Sequence, residues 1–281
     1  LIFFLMACAS TNYLVDKELR DNTTPKYDGL ITPIVIPIQA EYTPVKIEYK
    51  ASTFERISDM IHGSKVDETR RLEVMGEKEV LKLGELLTWD IRVNKLIINH
   101  DTFAPNTAIA SVRVLTDKFG NIHESEIMSP LLDGSKVNRK DRDNFIEGIR
   151  KSMKVVGVAP ILPYAPFRSG DTIMKMDKAL FAEMMETTEE NISFTNELEW
   201  KVDGWSIFNK RNVIVSSIDD NATVYNNDIR IDIQVKGYCI FDSESFQIIE
   251  SKTYFLMNAP LRNNDYISMK MLYQQSNSLI E

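Results

Sequence analysis

Ile229-Arg230-Ile231-Asp232-Ile233-Gln234-Val235-Lys236 alternates apolar and polar side chains without a fault. Side chains on a strand point to opposite faces in turn, so this run puts one face in a core and the other in water, as an antiparallel sheet requires. It continues through Gly237 to Phe241, meets turn formers at Asp242-Ser243-Glu244-Ser245 and returns through Phe246 to Met257. The C-terminal third therefore reads as a β-meander with one wet face, the other covered by a helix. Just upstream, Trp200, Val202 and Trp205 precede the strand-like Arg211-Asn212-Val213-Ile214-Val215. Asp219-Asp220-Asn221 and Asn226-Asn227-Asp228 are expected to punctuate these strands.

Toward the N-terminus the pattern becomes mixed. Lys175 to Glu190 is a helix candidate with Ala179, Leu180, Phe181 and Met184 inward, and its terminal acids oppose the helix dipole, so it frays by Thr187. Asp141 to Lys154 sets Phe145, Ile146, Ile149 and Met153 on one face against Arg142, Glu147, Arg150 and Lys151, the pattern of a surface helix. Ile109 to Met128 reads as a hairpin through Asp117-Lys118-Phe119-Gly120-Asn121. Trp89, Ile91 and Val93 alternate with polar residues as in a strand, whereas 68–87 fits strand and helix equally. Phe54, Ile57, Met60 and Ile61 have helical spacing, with Ser52 or Thr53 as N-cap and Gly63 as stop, which predicts a short helix over Ser52 to His62. The expected fold class is α+β: antiparallel sheets with a few packing helices and a C-terminal β-meander.

Net charge is −8 with 43% hydrophobic residues, ordinary for a globular core and adverse to nucleic acid or an anionic lipid surface as the main partner. Of the two cysteines, Cys239 lies in a strand-like apolar run and reads as a small buried hydrophobe.

Leu1-Ile2-Phe3-Phe4-Leu5-Met6-Ala7-Cys8 is an apolar run ending at a cysteine after a small residue, and the chain turns polar at once. Leu5-Met6-Ala7-Cys8 resembles the lipobox of bacterial lipoproteins. The run is far short of the ~20 residues a spanning helix needs. The resemblance implies cleavage before Cys8, lipidation of Cys8 and attachment to the cell envelope, with Ala9 favouring an outer-membrane location facing the periplasm. Val112-Arg113-Val114 and Asp117-Lys118-Phe119-Gly120, followed by the Asp141 helix, resemble the C-terminal domain of TonB-type energy transducers over 108–173, with Ser129-Pro130 departing from the family's Ser-Gly. The expected organisation is a signal remnant at 1–7, a lipidated, extended tether at 8–50 marked by Pro33, Pro37 and Pro44, an α+β domain at 51–173, and a mainly antiparallel β domain at 174–281.

Chemistry-bearing residues are sparse. His62, His100 and His123 lack the spacing of a zinc motif, and no nucleophile elbow, phosphate-binding glycine loop or Cys/His dyad occurs. His100, Asp101 and His123 are the candidates for an envelope hydrolase or metal-dependent enzyme. Met174, Met176 and Met271 offer thioethers of the kind a copper site uses, though packing accounts for them equally. No catalytic, metal or cofactor site is assigned. The sequence points to a non-catalytic envelope lipoprotein that binds an envelope protein or a small ligand, with a TonB-like interaction domain as a further alternative.

Overall fold

The computed structural model describes residues 46–82, 86–99, 101–103, 110–117, 122–128, 168–176, 178, 181–182, 188–227, 229–245, 247–261 and 265–280. These hold thirteen strands in one sheet. They are β1 (Lys46–Ile61), β2 (Ser64–Lys82), β3 (Leu86–Ile98), β4 (Asp101–Phe103), β5 (Ala110–Asp117), β6 (Ile122–Met128), β7 (Thr172–Met176), β8 (Ile192–Phe194), β9 (Leu198–Phe208), β10 (Arg211–Asn226), β11 (Ile229–Asp242), β12 (Ile248–Pro260) and β13 (Tyr266–Ile280). Their order is β6-β5-β3-β2-β1-β13-β12-β11-β10-β9-β7, with β4 beside β3 and β8 beside β10. Each half is a meander, and the two halves join where the first strand, β1, pairs antiparallel with the last, β13. The expected units 51–173 and 174–281 thus share a sheet, and Lys46 to Lys50, expected in the tether, already belong to β1.

The α+β class is overturned. Among the described residues, helical backbone is confined to Lys178, Phe181 and Ala182 and to a 3-10 turn at Glu189–Asn191. The predicted Ser52 helix is the middle of β1, paired with β13 on one side and β2 on the other. Two full hydrogen-bond ladders outweigh the helical spacing of four apolar residues, because side-chain spacing is only a weak prior against tertiary pairing. The predicted Lys175 helix begins as β7, which pairs with β9. The Asp141 helix lies outside the described residues. Asp219-Asp220-Asn221 do not break a strand either: β10 passes through them. Asp219 stands opposite Lys236 and pairs with it at 2.8 Å, so its carboxylate belongs to the wet face. By contrast Asn227, at φ 54°, does form the turn before β11.

Register gives each strand a core face, which carries the two larger clusters, and an opposite, outer face, on which Val213, Val215, Tyr238 and Ile240 of β10 and β11 are buried in a third. The core face of β7 to β12 carries Met176, Leu198, Trp200, Val202, Ile214, Ile218, Ile231, Ile233, Val235, Phe255 and Met257, all buried together with Phe181 and Ala182. Phe181 meets Phe194 edge to face at 5.3 Å, so the helical residues cover this part of the sheet. A second cluster joins Tyr49, Ala51, Val74, Leu87, Trp89, Ile91, Val93, Val112 and Val114 on β1, β2, β3 and β5. Gly76 sits where β2 shifts register against β3, and a Cβ there would lie 1.7 Å from the Arg92 carbonyl oxygen. The Tyr49 hydroxyl donates to that same oxygen at 3.3 Å.

Candidate functional site: the open half of the core face

Read along β1, the core face opens. Ile47, Tyr49 and Ala51 are buried, Thr53, Glu55, Ile57 and Asp59 are half-buried, and Ile61 is exposed. β2 runs the same gradient in reverse, from buried Lys78, Gly76 and Val74 through half-buried Leu72 and Arg70 to exposed Glu68 and Val66. On β13, half-buried Met271 and Met269 lead to exposed Ile267. Four aliphatic side chains stand on the rim so formed, Val66, Ile61, Ile267 and Ile229, 38–44% exposed, with exposed Glu68 and half-buried Asp59 among them. All four lie on the core face, at the same end of strands β2, β1, β13 and β11. Below the rim, Met257, Met269 and Met271 line the surface with flexible, polarisable side chains that adapt to irregular apolar shapes.

Charge enters this surface at β1 and β2. Glu55 stands opposite Arg70 on one side and Met271 on the other. Burial raises its carboxyl above the ordinary range, and the Arg70 guanidinium opposes the shift. Asp59 lies between Val66 and Ile267, with Oδ1 buried and without a hydrogen-bond partner. Its carboxyl is likewise raised, by burial and then by Glu68, against Arg70. Deeper in, Lys78 is 2% exposed between Ile47 and Ile91, and burial pushes its ammonium down to about 7.

A hydrogen-bonded chain crosses the buried centre along β13. The Tyr273 hydroxyl donates to Gln275 Oε1 at 2.8 Å, Gln275 Nε2 to Asn277 Oδ1 at 3.3 Å, and Asn277 Nδ2 to the Ile248 carbonyl at 2.5 Å. Each polar group is thereby satisfied inside an apolar face. Next to it, the Cys239 thiol is pushed up to about 12 by burial, which makes it inert as a nucleophile.

The residues singled out in the sequence do not converge. Cys8 and His100 lie outside the described residues. Asp101 pairs with Ile98, whereas His123 lies in β6 next to Glu124, whose register runs through Leu115 to Thr88. Thr88 and Ile98 are at opposite ends of β3, roughly 33 Å apart at ~3.3 Å per residue, so Asp101 and His123 are not brought together. Met176 is buried in the core cluster, and Met271 packs on that cluster from β13, five strands away. Glu55, Asp59 and Arg70 were not legible as a group, because the helix expected over Ser52 to His62 hid their strand register.

No family model matches the chain, and no curated protein matches it. Among solved structures, one of lipid–protein interactions in lipovitellin aligns with 86% of this chain and 26% of its own, at 11% identity and a TM-score of 0.37. This chain thus spans about a quarter of that protein's length. An outer membrane lipoprotein-sorting protein domain from Vibrio parahaemolyticus aligns with 82% of this chain and 85% of its own, at 8% identity and a TM-score of 0.17. A DUF1329 family protein from Desulfovibrio piger aligns with 79% and 83%, at 6% identity and a TM-score of 0.17. Scores of this size do not establish a common fold.

Proposed function

We propose that the protein is a non-catalytic binding module of the bacterial cell envelope that holds an elongated apolar ligand against the core face of its sheet. The observation that carries this reading is the graded opening of that face to an aliphatic rim on β2, β1, β13 and β11. Exposed aliphatic side chains gathered at one end of a buried apolar surface cost free energy unless something apolar covers them. The resemblance of Leu5-Met6-Ala7-Cys8 to a lipobox supports an envelope location, with Cys8 as the lipidated residue.

The test has two parts. Native mass spectrometry of protein purified without detergent, together with titration of dansylaminoundecanoic acid, is expected to give lipid-mass adducts and a saturable, blue-shifted emission. Val66→Glu and Ile267→Glu place charge on exposed rim positions and are expected to weaken probe binding at least tenfold without lowering the melting temperature. A wild-type protein that neither retains lipid nor binds the probe would overturn the reading. Separately, Cys8→Ser is expected to move the protein from the membrane to the soluble fraction; retention in the membrane would remove the anchor from the proposal.

A further inference from the structure

The open end of the core face carries acids among its aliphatic side chains. Asp59 on β1 stands between Val66 on β2 and Ile267 on β13, and Glu68 lies two residues along β2 from Val66, opposite Ile57. Asp59 and Glu68 are therefore diagonal cross-strand neighbours on one face, close enough for their side chains to reach a common group. The two carboxyls sense each other: burial raises that of Asp59, and the Glu68 carboxylate adds to the rise.

The positive charges nearby are already engaged. Arg70 stands opposite Glu55, donates to Glu68 at 3.1 Å and also acts on Asp59, so one guanidinium is shared among three carboxylates. Arg56 is on the outer face, held by Asp67, and Lys65 is also on that face, opposite Met60. His62, in the turn after β1, lies 3.8 Å from the Asp265 carboxylate. Asp59 Oδ1 is left buried and without a hydrogen-bond partner. A carboxylate oxygen can only accept, and buried polar atoms are nearly always paired, so what this atom lacks is a donor. With Glu68 beside it, a positively charged donor fits best. Such a donor has an apolar path beneath it, because Ile267, Met269 and Met271 continue the core face down β13 for roughly 13 Å at ~3.3 Å per residue.

We propose that the apolar ligand is a cationic amphiphile whose primary ammonium head sits at the rim, donating to Asp59 Oδ1 and facing Glu68, while its alkyl chain runs down the core face over Met269 and Met271. The inference rests on the apolar-ligand reading and adds the charge and the orientation of the ligand.

The experiment uses the full chain with Cys8→Ser and isothermal titration calorimetry at neutral pH with two probes of equal chain length, dodecylammonium and dodecanoate. Both have the alkyl chain, so both are expected to bind, dodecylammonium about tenfold tighter. Asp59→Asn is expected to weaken dodecylammonium about tenfold, the size of one hydrogen bond to a charged group, without weakening dodecanoate. The variant removes a carboxylate that burial disfavours, so it is expected to melt no lower than the parent, which separates loss of binding from loss of fold. Asp67→Asn removes the same charge from the outer face and is expected to leave both affinities unchanged. Equal affinities for the two probes in the parent, no loss in Asp59→Asn, or an equal loss in Asp67→Asn would overturn the ammonium seat while leaving the binding reading intact. Failure of the parent to bind either probe would overturn both.

Discussion

Between their unfolded and folded values, Glu55 and Asp59 keep protons that the unfolded chain has released, since burial raises both carboxyls above their ordinary range. Their contribution to stability is complete below about pH 4 and is lost as pH rises through the folded values. Lys78 acts with the opposite sign of slope. Its ammonium titrates at about 7 when folded against 10.5 ordinarily, so between those values the unfolded chain carries the extra proton and stability rises with pH. Urea midpoints measured across pH are expected to fall from pH 4 upward through the acid range, then climb between about 7 and 10. Glu55→Gln is expected to flatten the acid limb and leave the alkaline one. An acid limb of unchanged slope in that variant would show that its carboxyl is not held protonated. At Gly76 the constraint is steric. Gly76→Ala puts a methyl group into the Arg92 carbonyl, and a loss of ~3 kcal/mol or more in unfolding free energy is expected, since backbone on both sides must move. Arg56 and Asp67 mark the other extreme: their two-point pair at 3.0 and 2.9 Å lies on the outer face, and Asp67→Asn is expected to cost only ~1 kcal/mol, less in high salt.

Strands whose two faces differ in polarity could be read directly. β11 alternates cleanly because its outer face carries Arg230, Asp232, Gln234 and Lys236 while its core face carries isoleucine and valine. The β5–β6 hairpin was legible from the turn residues Asp117-Lys118-Phe119-Gly120-Asn121 between its two strands. β1 was not, because register puts Phe54 and Met60 on the outer face with Leu272 and Tyr266, and Glu55 and Asp59 on the core face with methionine and isoleucine. An apolar residue facing out and an acid facing in together imitate a helical stripe. The candidate surface was hidden by that same inversion. If β1 is the paired central strand described, Thr53→Pro deletes a ladder donor with neighbours on both sides and is expected to cost ~3 kcal/mol or more, measured by chemical denaturation. A surface helix beginning at Ser52 would instead accept proline in its first turn at little cost.

At the scale of the molecule, the rim continues down the core face of β12 and β13 through Met257, Met269 and Met271, the surface on which the proposed apolar ligand would lie. A fatty acid carrying a mid-chain diazirine should cross-link to peptides of β12 and β13 in the wild type and lose those cross-links in Ile267→Glu. Cross-links confined to the outer face would contradict the placement.

The pairing of β1 with β13 also governs when the sheet can exist. A nascent chain emerges from the ribosome with β1 well before β13, and neither β1 nor β12 has its second neighbour until β13 has been made. Until then two long strand edges stand bare, each a template for aggregation. Such sequence separation also slows closure once the chain is free. A protein built this way depends on being kept apart from its neighbours during synthesis, and deleting β13 would leave its middle permanently unmade.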